Sequence, residues 1–139
     1  MASLAAAVVA VRERSPDLML EVSRQTPVFA PEGGGPGPRE AEFSFFLRES
    51  EPDASVEIIG PEEEVVRRLA ADVDLEADEE LTLRWDGADQ LGLPARPDIY
   101  RIRVLAPGLG REMIWPRRIA LVRGGRPVSV IRELRERTG

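Results

Sequence analysis

The chain contains no cysteine, histidine, lysine or asparagine, and all 19 of its basic residues are arginine. Without cysteine and histidine there can be no disulfide, no thiolate zinc site and no nucleophile activated by a neighbouring histidine. Any metal ion would have to be a hard cation held by carboxylate and carbonyl oxygens. The sequence therefore predicts no enzymatic activity and no cofactor of the kinds that depend on these side chains.

Aromatic residues and long hydrophobic runs are also scarce. An aromatic content of 5% hardly provides the exposed aromatic row that a carbohydrate-binding surface needs. The apolar run at residues 2–11 is too short to span a bilayer, which takes about 20 residues, and it lacks the basic start of a secretory signal. Two interpretations of this run remain: a truncated signal-anchor that attaches the protein to a membrane, or a short alanine-rich helix or disordered end.

The charge is predominantly acidic. The net charge is -6 and the isoelectric point is about 4.8, which disfavours a nucleic-acid partner because little would offset phosphate repulsion. A length of 139 residues fits one domain with extra segments at its ends. We predict an apolar N-terminal segment at 1–17, a folded domain at 18–123 and a C-terminal tail at 124–139.

Short alternating runs separated by turn residues dominate the middle of the chain. We predict strands at 18–22, 41–48, 55–59 and 64–69, followed by later strands at 111–115 and 118–123 that continue past a kink at Pro116. Residues 62–73 could also form a helix on propensity alone, but the preceding Gly-Pro and the β-branched Val65 and Val66 favour the strand. The segments 27–38 and 49–53 are predicted to be loops or turns, and 70–80 a covering loop or short edge strand. This spacing indicates an antiparallel β-sandwich.

The stretch from Leu81 to Val104 organises the rest. Two runs of period two flank a loop rich in Asp, Gly and Pro, which predicts a β-hairpin with Trp85 and Tyr100 at its strand-to-loop junctions. Both aromatic rings are expected to pack inside the domain. The predicted core residues are Phe43, Phe45, Val56, Ile58, Leu83, Trp85, Tyr100, Ile102 and Val104.

The loop motif resembles a known family. Trp85, Asp86, Gly87, Asp89 and Gly92, with Tyr100 eight residues further on, are similar to the W-D-G-x-D-x-x-G...Y signature of the Ig-like domain of FlgD, the flagellar hook-cap protein. The segment 29–35 is similar to the F-S-P-N-G-D-G segment of cell-surface copies of that domain. The sequence departs from the family at Leu91, where a polar turn residue is usual, and at Asp98, where glycine is usual.

The resemblance implies an immunoglobulin or fibronectin type III-like sandwich in an exported or membrane-attached bacterial protein. It implies a structural or protein-interaction role, through contacts with a second copy or with another surface or envelope protein. Nothing in residues 1–26 resembles the segment that attaches FlgD to the hook, so a role as a hook-assembly scaffold is only an alternative. A second alternative is a carbohydrate- or polymer-binding sandwich.

Several side chains could have a functional role in addition to a structural one. Asp86 and Asp89 could meet Ca²⁺, but turn capping is the simpler role because the loop lacks the alternating acids and closing glutamate of a calcium loop. Trp115, if exposed, is a candidate contact. A basic docking face would form if the strands of five arginines are neighbours, whereas cross-strand pairing with glutamate is the simpler role; the five are Arg84, Arg101, Arg103, Arg117 and Arg118. The acidic residues of 62–64 and 72–80 lie in solvated stretches, which disfavours a pair of catalytic acids.

Overall fold

The computed structural model describes residues 19–123. The predicted N-terminal segment and C-terminal tail lie outside the described residues. The strands are β1 (Leu20–Gln25), β2 (Val28–Phe29), β3 (Ala41–Leu47), β4 (Glu51–Ile59), β5 (Val65–Leu75), β6 (Leu81–Trp85), β7 (Asp98–Ala106), β8 (Arg111–Ile114) and β9 (Ile119–Leu121), with a 3₁₀ turn at Pro107–Leu109. No helix in this part of the chain is long and apolar enough to cross a membrane.

The strands form two sheets. One is three-stranded, in the order β1-β3-β6, and the other has the order β2-β9-β7-β4-β5 with β8 also paired to β7. Neighbouring strands are antiparallel except β2 and β9, which are parallel. The predicted β-sandwich is confirmed, with this one parallel pair as a difference from the expected all-antiparallel pattern.

The core lies between the sheets and follows the alternation of the sequence. Phe43 and Phe45 of one sheet and Ile58 and Ile102 of the other are fully buried, because every second residue of a strand faces the same side. Eight of the nine predicted core residues are buried, and Leu83 is half-buried against the same cluster. The core prediction is therefore confirmed almost completely.

The predicted hairpin between Leu81 and Val104 is wrong. β6 pairs with β3 in the smaller sheet, whereas β7 pairs with β4, β8 and β9 in the larger one. The loop at 86–97 consequently crosses from one sheet to the other. Alternation shows which face of a strand is buried, but it does not show which strand lies beside it.

Two segment predictions need correction, those for 49–53 and 27–38, whereas the edge-strand alternative for 70–80 is confirmed for residues 70–75. Residues 49–53 do not form only a turn, because β4 begins at Glu51 and buries that side chain completely. Residues 70–75 continue β5 as the edge strand of the larger sheet. The glycine-rich stretch 27–38 contains the short strand β2, whose Phe29 is fully buried.

The break at Pro116 behaves as predicted. β8 and β9 pair with successive parts of β7 and together form its second neighbour, opposite β4. Proline cannot donate a ladder hydrogen bond, so the strand is interrupted there and then resumes.

Candidate interaction site

The loop that connects β6 to β7, at residues 86–97, begins from a buried aromatic contact. The indole N–H of Trp85 donates to the carbonyl oxygen of Ala88 at 2.8 Å. Its ring lies 5.4 Å from that of Phe29 and 5.0 Å from that of Tyr100, in an edge-on arrangement with the latter. Trp85 therefore fixes the start of the loop against both sheets, since Tyr100 belongs to β7.

Two aspartates hold the loop in shape. A carboxylate oxygen of Asp86 accepts the backbone N–H of Ala88 at 3.0 Å, and one of Asp89 accepts those of Leu91 and Leu93, both at 2.9 Å. These are the contacts of capped turns, so the capping interpretation fits both residues. Among residues 19–123, no cluster of three or more acidic side chains could hold a metal ion.

Two glycines of the motif have backbones that other residues rarely adopt. Gly87 has φ +86° and Gly92 has φ +82°, in the region where glycine carries no steric penalty. A Cβ at Gly87 would lie 2.7 Å from Pro31, whereas one at Gly92 would meet nothing within 4 Å. Glycine is therefore needed at position 87 for its positive φ and for the close approach of Pro31. At position 92 it is needed for the positive φ alone.

Side chains from elsewhere tie the loop to the sheet. Arg67 of β5 donates to the carbonyl oxygen of Asp89 at 2.9 Å, and the Gln90 side chain accepts the backbone N–H of Arg68 at 2.7 Å. Arg123 donates to the carbonyl oxygen of Ala95 at 2.9 Å. The loop is thus fastened at both ends and at its middle, and Gln90 covers part of the exposed edge of β5.

Tyr100 closes the base of the loop. Its hydroxyl donates to the carbonyl oxygen of Arg96 at 2.6 Å. Burial, together with the nearby charge of Asp98, raises the pKa of Tyr100 from 10.0 to about 12, and Glu64 adds to that shift. The hydroxyl is therefore neutral at physiological pH and already committed to a backbone acceptor.

A shallow cleft of about 390 Å³ opens between this loop and the start of β5. Leu91 is 82% exposed and Val65 is 45% exposed, and both line the cleft. The only other exposed large hydrophobic residue between positions 19 and 123 is Leu93, at 57%, in the same loop. Other lining residues are Pro61, Glu64, Pro94 and Tyr100. The exposed large hydrophobic side chains of the described domain are therefore gathered at this loop and the start of β5.

The rim of the cleft on the β5 side is acidic. Glu62, Glu63 and Glu64 are consecutive, and Glu63 lies 3.9 Å from Arg101. A Glu64 carboxylate oxygen accepts the backbone N–H of Glu62 at 3.0 Å. Within the described residues, neither Glu62 nor Glu64 has an arginine partner, so both carboxylates present uncompensated charge.

None of the candidate contact residues lines this cleft. Arg103 has 15% of its side chain exposed and donates to the buried Glu57 at 2.7 Å. Arg101 is 28% exposed and pairs with Glu63. Trp115 is half-buried against the core. These positions favour pairing with glutamate for the two arginines, across neighbouring strands for Arg103 and with the β4–β5 turn for Arg101. They favour packing for the tryptophan, and they do not form one basic docking face.

The cleft itself was missed at the level of sequence. One signal was present, because Leu91 is apolar at a position where the resembled family has a polar turn residue. Val65 gave no signal, since an apolar β-branched residue in a strand is expected to be buried. Only the tertiary structure shows that these two side chains face the same opening.

Comparisons with known proteins bear on the fold. No family model and no curated protein matches the sequence. Among solved structures, dimeric latent PorU from Porphyromonas gingivalis matches with a TM-score of 0.52 and 17% identity over 76% of this chain. The domain formed by residues 19–123 of the present chain is an Ig-like β-sandwich. The chain corresponds to 9% of the length of PorU, so the match concerns one module of a much longer protein.

A CARDB domain from Pyrococcus furiosus, crystallised in complex with di-metal ions, matches with a TM-score of 0.42 and 15% identity over 76% of this chain and 93% of that one. The solution structure of a CARDB domain from the same organism gives 0.40 and 12% over 75% of this chain and 93% of that one. At these identities the similarity concerns the fold only, and the roles of residues in the CARDB domains cannot be transferred to this Ig-like domain.

Proposed function

We propose that this Ig-like domain is a non-enzymatic protein-interaction module of an exported or membrane-attached bacterial protein, and that it binds its partner at the cleft between Val65 and Leu91. The observation that carries the proposal is the concentration of exposed large hydrophobic side chains at the 86–97 loop and the start of β5. Exposed apolar surface gathered in one place and rimmed by charge is typical of protein contact sites.

The rigidity of the loop supports this role. The Trp85 indole, two capping aspartates and the Arg67 contact hold the loop in one conformation. A loop that is already ordered loses little conformational entropy when a partner binds. Such a loop, presented by a sandwich, is a usual way for a domain of this class to offer a binding surface.

The motif resemblance supports an extracytoplasmic setting. The residues that resemble the FlgD Ig-like signature are the ones that build and anchor this loop, from Trp85 to Tyr100. In that family the domain acts through contacts between proteins, which agrees with a binding role for the cleft. We accordingly propose a relationship to the FlgD Ig-like family in the form found in surface proteins.

The rival polymer-binding role has less support. Sugar binding by sandwiches relies on exposed aromatic faces, and the aromatic residues of the described domain are buried or half-buried. No row of exposed rings is formed within residues 19–123. We therefore favour a protein over a carbohydrate or other polymer as the binding partner.

Site-specific photocrosslinking in cells of the source organism tests the proposal. A photoreactive amino acid at position 91 is expected to give a discrete adduct with another envelope protein, and the same group at Thr82, on the exposed face of the smaller sheet, is expected to give none. Cell fractionation should recover the adduct with the envelope. Equal labelling from both positions, or no adduct from position 91, would contradict the proposed function.

A further inference from the structure

The chemistry of the cleft narrows the class of partner. Resting on the proposed function, we propose that the cleft binds an extended segment of another protein in which an aliphatic side chain is followed closely by an arginine or lysine. The aliphatic side chain would lie between Val65 and Leu91, and the cation would reach the carboxylates of Glu62 and Glu64.

The apolar part of the proposal rests on the lining of the cleft. Leu91 and Val65 stand on opposite walls, one on the loop and the other on β5, with Pro61 and Pro94 beside them. An aliphatic side chain that enters between them would remove apolar surface on both walls from water, which is the main favourable term in association. The Tyr100 hydroxyl is already bonded to the carbonyl oxygen of Arg96, so this hydroxyl is not a free donor that would select a polar side chain.

The cationic part rests on charge complementarity. Glu62 and Glu64 are exposed, and no arginine among residues 19–123 pairs with either of them. Arg96 on the opposite wall has its guanidinium 3.7 Å from the buried carboxylate of Asp98, which offsets its charge. A cation is therefore attracted to the β5 side of the cleft, and an anionic partner would be repelled from it.

The extended conformation rests on the sheet edge. β5 is the outermost strand of the larger sheet, and Val65 and Val66 border the cleft. Gln90 covers the edge at Arg68, which leaves the beginning of β5 as the part of the edge next to the cleft. A segment in β conformation there would place alternate side chains toward the cleft and toward the glutamates.

Three short fluorescent peptides test the inference with the full chain: one alternates valine and arginine, one valine and glutamate, and one serine and arginine. Fluorescence anisotropy should show binding of the valine–arginine peptide well above that of the other two. Added salt should weaken its binding, since the glutamates and the cation are exposed to screening.

Two leucines of the same loop provide a matched pair of variants. Leu91→Ser should weaken binding of the valine–arginine peptide about tenfold, the scale of losing apolar contact with one leucine. Leu93→Ser should leave binding unchanged, because Leu93 is exposed but does not line the cleft. Thermal unfolding should be nearly the same for both variants, which excludes misfolding as the cause.

A charge variant tests the cation separately. Glu64→Gln keeps an oxygen for the N–H of Glu62 and removes the charge, so the affinity should fall about twofold to fivefold and the salt dependence should decrease. Glu64→Arg should move the preference toward the valine–glutamate peptide.

The outcomes separate this inference from the proposed function. Preference for the valine–glutamate peptide, or binding that Leu91→Ser does not weaken, overturns the partner class. If the crosslink from position 91 still forms, the interaction module stands with a partner of different chemistry. Absence of the crosslink overturns the proposed function whatever the peptides do.

Discussion

The rings of Trp85 and Tyr100 meet edge to face with their centroids 5.0 Å apart, although they belong to strands of different sheets. Trp85 is the last residue of β6 and Tyr100 is the third residue of β7, so the contact joins the two layers close to both ends of the crossing loop. The same contact supports the loop that carries Leu91.

Truncation of this contact should be costly. Trp85→Ala should lower the free energy of unfolding by about 3 to 5 kcal/mol, the range for removing a buried aromatic side chain, because Trp85 is 1% exposed and packs against two rings. Urea unfolding followed by circular dichroism measures the loss. Trp115→Ala, at the half-buried tryptophan, should cost less, and an unchanged midpoint for Trp85→Ala would show that the ring is not part of the core.

Alkaline pH should destabilise the domain through ionisation of Tyr100. Its pKa is about 12 in the folded protein against 10.0 ordinarily, chiefly because of burial. The unfolded chain therefore loses the phenolic proton first. This contribution is complete below pH 10 and is lost as the pH rises towards 12, by a total of about 3 kcal/mol.

The composition makes this titration easy to read. The chain has one tyrosine and no lysine or cysteine, and arginine stays charged. Absorbance of the tyrosinate should therefore rise near pH 12 in the folded protein and near pH 10 in urea. Tyr100→Phe should remove the alkaline loss of stability, and tyrosinate formation near pH 10 in the folded protein would contradict the assignment.

Two arginine–glutamate pairs of different burial should differ in strength. Arg103 contacts Glu57, whose side chain is 1% exposed, whereas Arg84 contacts Glu42 at 3.0 Å with 66% and 29% of the side chains exposed. Arg103→Ala should cost about 3 kcal/mol, since it leaves a buried carboxylate with Arg68 as its remaining ionic partner. Arg84→Ala should cost less than about 1 kcal/mol.

Urea unfolding of the two arginine variants measures this difference. The midpoints can be compared directly when the unfolding free energy depends equally on urea concentration in both variants. Salt should weaken the Arg84 contribution and leave that of Arg103 nearly unchanged, because buried charges are screened less. Equal losses for the two variants would show that burial does not set the strength of these pairs.

The two motif glycines should respond differently to alanine. Gly92→Ala should cost about 1 to 2 kcal/mol, the strain of a side chain in the left-handed region, because its Cβ would meet open space. Gly87→Ala should cost about 1 to 3 kcal/mol more through overpacking, since its Cβ would lie 2.7 Å from Pro31. Thermal unfolding of both variants checks the order, and a greater loss for Gly92→Ala would contradict it.

Local patterns predicted much of the domain. The alternation at Phe43 and Phe45 correctly assigned the buried face of β3, and the Asp-Gly pattern correctly indicated a capped loop after Trp85. The burial of Glu51 could not be predicted, because its partners are the backbone N–H groups of Asp53 and of the distant Leu109. Closely spaced acidic residues ordinarily indicate a solvated segment.

The sequence by itself determined the inward face of the alternating strands and excluded the chemistries that need cysteine or histidine, because strand periodicity and side-chain inventory are local properties. The partners of each strand were decided only by the tertiary structure: β6 and β7 adjoin in sequence and yet lie in different sheets. The cleft depends on the same decision. Leu91 and Val65 share one opening because the crossing loop folds back onto the edge of β5, and no period within either segment encodes that meeting.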